Sequence, residues 1–170
     1  MANKSTFTTD EWSRLLSSPM VAGMAITAAD PGGVWGLLKE GMSGGWALIE
    51  ARQDAQANQL VRAVAEDFAT SEGRSSARAA LQARFTGTTF SVLKDTALAE
   101  LTSVADIVDA KAPEDAVAFK SWLQAVAQKA AEAGKEGGFL GFGGVTVSDA
   151  EKATLADISA ALLRKSPASA

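Results

Sequence analysis

Glycine placement constrains this chain more than any other feature. Seven of its fifteen glycines lie between Gly23 and Gly45, six lie between Gly134 and Gly144, and only Gly73 and Gly87 fall elsewhere. Each glycine inside a helix costs about 1 kcal/mol relative to alanine. The long middle of the chain can therefore sustain helices, while the two crowded windows read as junctions. The windows also resemble each other. Val21–Gly36 and Val126–Gly141 share a valine, three alanines and three glycines at one constant offset, the pattern that a diverged internal duplication would leave.

Caps and apolar spacing place the helices. Thr8 with Glu11 three residues later forms a capping box, which opens a short helix to about Ser17. Ser18 as cap and Pro19 as first residue suit a second helix, which should stop near Ala29 because the residue before Pro31 disfavours helical geometry. Residues 34–52 read as further helix, with a break near Ser43-Gly44-Gly45. Leu60, Val61, Val64 and Phe68 share one face, as do Ala77, Leu81 and Phe85. Phe90, Leu93, Ala97, Leu101, Val104 and Val108 recur at helical spacing, with Lys94, Asp95, Glu100, Asp106 and Asp109 as intervening charge. Pro113, with Glu114 and Asp115 in the first turn, opens a long helix whose inward face carries Phe119, Trp122, Leu123, Val126 and Ala130. Ser148 and Glu151 form a second capping box before a last helix that turns Leu155, Ile158 and Leu162 inward. Gly134, Gly137 or Gly138 can end the helix before it. The short run Gly144–Val147 is too brief to stand as a strand. The expected fold is an all-α bundle of six to eight helices, one domain over residues 1–165 with a tail at 166–170.

The residue inventory narrows the chemistry. The chain has no Cys, no His and no Tyr, so Ser-His-Asp and Cys-His nucleophile systems and Cys/His zinc sites are excluded. A metal would need oxygen ligands. The net charge of −4 argues against nucleic acid, whose affinity comes from clustered Lys and Arg. The longest apolar run, Met20–Ala29, is about half the roughly 20 residues a membrane span requires. No secretory leader is visible, and the expected location is the cytoplasm.

The window Gly137–Lys152, "GGFLGFGGVTVSDAEK", invites a phosphate-loop reading and fails it. No Lys-Ser or Lys-Thr follows the glycines. Gly141-Phe142-Gly143 is followed by Thr146 where a dinucleotide fingerprint needs its third glycine. Two readings remain. In one, the glycines let helices approach closely and Phe139 and Phe142 plug the loop into the core. In the other, the uncharged run 137–145 is an exposed apolar patch that marks a contact surface. The run Gly32–Leu38 has the same character, so two adjacent loops would make one patch of Val34, Trp35, Phe139, Leu140 and Phe142.

Two further constellations were weighed. Gly73, Ser75 and Ser76 could form a helix N-terminus with Arg74 and Arg78 nearby, a setting that favours anions; a serine-capped helix with solvated arginines accounts for the same residues. Asp106, Asp109, Glu114 and Asp115 cluster around a helix–helix turn, but no calcium-loop spacing supports metal binding there.

The segment Gly144–Leu162, "GVTVSDAEKATLADISAAL", follows an alanine-rich helix and resembles the helix, acidic loop and vs-x-x-E unit of tellurite-resistance TerB-like helical domains. The likeness covers 145–162 and extends loosely back to about residue 120. The family's loop carries Asp-Gly with acids that hold a cation. Here Gly134-Lys135-Glu136-Gly137 and Asp30-Pro31-Gly32 stand instead, so no metal ligands carry over. The resemblance implies an all-α scaffold with a stress-linked or unassigned role.

Together these readings point to a non-enzymatic helical binding domain without cofactor, whose glycine-rich junctions contact a protein partner or a second copy. The alternatives are a peripheral lipid-surface or hydrophobic-ligand protein using the same residues, and, third, an enzyme working with carboxylates only.

Overall fold

The computed structural model describes residues 2–29, 48, 50–54, 56–133 and 147–163. Among these residues 87% are helical and none is in a strand, with seven helices, one of them 3-10, besides the helical residues 48 and 50–53. A 3-10 turn at Lys4–Thr6 precedes α1 (Thr9–Ala29), α2 (Gln59–Phe68), α3 (Ser71–Phe85), α4 (Phe90–Lys111), α5 (Pro113–Ala133) and α6 (Asp149–Leu163). This is the all-α bundle that the caps and periods imply. The rest of the expected 34–52 helix, the second half of each internally similar window, and the 166–170 tail lie outside the described residues.

Both capping boxes form. The Thr8 amide donates to Glu11 Oε2 at 2.7 Å and the Glu11 amide to Thr8 Oγ1 at 3.3 Å. The Ser148 amide donates to Glu151 Oε2 at 2.8 Å and the Glu151 amide to Ser148 Oγ at 3.2 Å. Each box gives donors partners that a helix start would otherwise leave unpaired.

Pro19 corrects the reading at the N-terminus. It does not start a helix; it lies inside α1, which is continuous from Thr9 to Ala29. A proline there removes the N–H that would bond the carbonyl four residues back, at Leu15. The Ser18 hydroxyl donates to that same Leu15 carbonyl at 2.7 Å, and the Ser17 hydroxyl donates to the Arg14 carbonyl at 3.1 Å. The lost bond is thus replaced by the side chain read from sequence as a cap. Helix α3 also starts earlier than expected, at Ser71, because Thr70 caps it with its hydroxyl on the Gly73 amide at 2.9 Å.

Helix α1 is the hub and touches every other described α-helix. Its Trp12, Leu15, Leu16, Val21, Ala22, Ala25 and Ile26 are buried in one apolar cluster with the inward faces of the rest. Ala97, Leu101, Val104 and Val108 on α4, and Phe119, Leu123, Val126 and Ala130 on α5, are buried as their spacing implies. Phe68, Leu81, Phe85, Trp122 and Leu155 pack against this core only partly buried. Phe90 and Leu93 sit nearer the surface than expected, because α4 begins at Phe90 at the rim of the bundle.

Directions follow from cross-links. Lys111 at the end of α4 pairs with Glu11 at the start of α1 at 2.8 Å, so the two helices run antiparallel. Ala112 alone separates α4 from α5, and α5 turns back along α4. Lys94 pairs with Asp157 at 2.9 Å, placing α6 alongside α4. Gln124 of α5 donates to Ser159 of α6 at 3.1 Å. Gly87, at φ +79° between α3 and α4, takes the left-handed conformation that lets the chain reverse.

Gly73 is needed for space. A Cβ there would meet the Asp67 carbonyl oxygen at 2.0 Å, its carbon at 2.5 Å and the Phe68 nitrogen at 3.0 Å, all main-chain atoms of α2. No side chain can swing aside to relieve the clash. Gly73→Ala is expected to cost about 1–3 kcal/mol, the usual range for forced overpacking. A urea midpoint equal to the parent's would show that α2 and α3 are not joined this closely.

Candidate functional site

The buried charges form structural pairs. Glu100 is 7% exposed. It accepts from Arg14 Nε and Nη2 at 2.7 Å each, and Arg84 Nε lies 3.2 Å from the same carboxylate. Arg84 reaches onward to Asp10 at 2.9 Å. One network therefore ties α1, α3 and α4 together. The Glu100 carboxylate, followed by burial acting in opposition, holds the Arg14 guanidinium above its ordinary range. The sequence reading gives Glu100 only as charge interrupting the apolar stripe; the structure buries it. Glu100 lies three residues after Ala97 and four before Val104, so its spacing already placed it on the inward face.

The acids around the α4–α5 turn are likewise engaged. Asp109 accepts from Lys120 Nζ at 2.7 and 2.9 Å. Asp115, buried, accepts from the Ala2 amide at 3.1 Å and from Asn58 Nδ2 at 2.9 Å. Near the N-terminus, the Lys111 ammonium and then the Thr8 amide hold the Glu11 carboxyl below its usual range. Asp67 takes the Trp12 indole N–H at 2.6 Å and lies 3.2 Å from Lys4; its carboxylate raises the Lys4 ammonium. Among the described residues no cluster of three or more His, Cys, Asp or Glu could hold a metal ion, and no helix is long and apolar enough to cross a membrane.

The sequence-derived contact residues Val34, Trp35, Phe139, Leu140 and Phe142 lie outside the described residues, but the end of α1 and the start of α6 are described. Ala28 and Ala29, the last residues of α1, line one cleft of about 440 Å³ together with Phe90, Ser91, Lys94 and Asp95 of α4 and Ala150, Ala153 and Thr154 of α6. The chain leaves α1 for the first glycine window at this cleft and enters α6 from the second window at the same cleft. Val92, on the first turn of α4, is 46% exposed. The Lys129–Glu50 ion pair joins the last third of α5 to the segment that follows the first window.

The anion candidates are placed differently from their sequence reading. Gly73 is buried and its amide is engaged by Thr70, so Ser75 and Ser76 lie beyond the capped first turn of α3. Arg74 Nη1 donates to the Ala69 carbonyl at 2.6 Å, and Arg78 is exposed one turn further on. Arg74 instead lines, together with Arg52, a cleft that sequence spacing could not reveal because the two residues belong to different elements. A third groove, of about 660 Å³, runs between residues 50–61 and α5, with Trp122 in its wall. No protein-family model, curated protein or solved structure matches this chain.

Proposed function

We propose that the chain is a cytoplasmic, non-enzymatic helical binding domain. Its two glycine-rich stretches, carrying Val34, Trp35, Phe139, Leu140 and Phe142, contact a protein partner or a second copy. One observation carries this reading: the exit from α1 and the entry to α6 share a single cleft. Two uncharged, aromatic-bearing stretches that are tethered at one end of a bundle can act as one surface, and contiguous apolar surface of that kind serves association. The bundle beneath them is tied together by internal ion pairs that span α1, α3 and α4, a rigid base of the kind a binding surface benefits from. A TerB-like scaffold role belongs to the same proposal. It is supported by the Ser148–Glu151 cap, which starts the helix on which that likeness rests.

Analytical sedimentation with and without neutral liposomes tests the reading, on the parent and on Phe139→Ser/Phe142→Ser. Fixed-stoichiometry association, with itself or with a purified partner, that is lost in a folded variant supports it. A monomer that floats with vesicles, with flotation lost in the variant, would assign the surface to lipid instead. A monomer indifferent to vesicles, with a variant that unfolds, would return both phenylalanines to the core and end the proposal.

A further inference from the structure

The cleft between residues 48–53, the end of α2 and the start of α3 has a volume of about 590 Å³, within the roughly 300–1,000 Å³ range of small-ligand sites. Its floor is apolar: Leu48 and Ala65 are buried and Phe68 is half-buried. Among the described residues its charged lining is Arg52 and Arg74, with no carboxylate. That composition is unusual in a chain where 20 acids outnumber 16 bases. The nearby acids are engaged elsewhere, Asp67 by Trp12 and Lys4 and Glu72 by Lys4. Arg74 is held against the Ala69 carbonyl through Nη1, which leaves most of its five N–H donors available.

We propose that this cleft binds a single-chain amphiphile with an anionic head, a carboxylate on an aliphatic tail. Two guanidiniums line the cleft, so an anion bound there faces both, and the planar guanidinium matches a carboxylate's two oxygens. The head sits between Arg52 and Arg74, and the tail lies on Leu48, Ala65 and Phe68. This site is separate from the cleft at the ends of α1 and α6, so the sedimentation result above stands or falls independently of it.

The probe is decanoate, titrated below its micelle concentration and followed by calorimetry and by amide NMR shifts, with acetate and decanol as controls. One saturable decanoate site is expected, with shifts centred on Leu48, Ala65, Phe68 and Ala69. Acetate should not saturate, and decanol should bind at least about tenfold more weakly, since it lacks the charge that strengthens each hydrogen bond. Arg52→Gln should weaken decanoate by about tenfold or more. Arg78→Gln, an equal loss of charge on α3 outside the cleft lining, should leave binding unchanged. Arg74→Gln, checked for folding by its melting curve, should repeat the Arg52→Gln result. Absence of decanoate binding, equal binding of decanol, or equal loss with Arg78→Gln would overturn the proposal.

Discussion

Glu100→Ala is expected to lower folding stability by about 3 kcal/mol, at the low end of the range for breaking a buried ion pair. The substitution strands Arg14 and one side of Arg84, whose side chains keep 19% and 22% of their surface in solvent. That residual hydration limits the loss, and Arg84 retains Asp10. The comparison that identifies the cause is the double variant Arg14→Met/Glu100→Leu. Exchanging a buried pair for apolar groups of similar size is often neutral or stabilising, so the double variant should be more stable than Glu100→Ala alone. Guanidinium denaturation with a two-state fit reads both. If Glu100→Ala falls within about 0.5 kcal/mol of the parent, as surface substitutions usually do, the network is not closed to water.

The second large effect is expected at Leu123→Ala, about 3–5 kcal/mol, in the upper part of the range for a buried leucine truncated to alanine. Leu123 is fully buried on α5, on a face shared with Ala116, Ala127, Ala130 and Ala131. That face also carries the buried Phe119 and Val126; its alanines bring backbones close, and backbones cannot fold inward to refill a vacated leucine as long side chains can. Leu155, only partly buried on α6, supplies the contrast: Leu155→Ala should cost less than half as much. Equal costs at the two positions would mean that the inward face of α5 is misassigned.

Much of the fold was legible because its signals are local. A capping box involves residues three apart, and Thr8–Glu11 and Ser148–Glu151 were read correctly from that spacing. The apolar stripes of α4 and α5 needed only their helical period. The misreadings share a physical cause, in that their partners are distant or sterically defined. Arg14 lies 86 residues from Glu100, so although the helical spacing turns Glu100 inward, nothing local names the partner that lets it be buried. Gly73 looked like part of an anion-binding turn, but its role is set by the main chain of α2. Pro19 looked like a helix start because the rule for proline does not foresee a serine hydroxyl replacing the missing donor. The cleft that Arg52 and Arg74 share arises only when the segment before α2 folds against the start of α3.

The position of α1 at the hub of the bundle has a consequence for how the molecule is made. α1 leaves the ribosome before all of its helical partners, yet the helices that cover it extend to Leu163. At about 5–20 residues per second, the apolar side of α1, with Leu15, Leu16, Val21 and Ile26, waits on the order of ten seconds for α6. Until α6 arrives, the part of that side that α6 covers stays open. The order of synthesis thus makes the hub helix the first apolar face to emerge and the last to be fully covered.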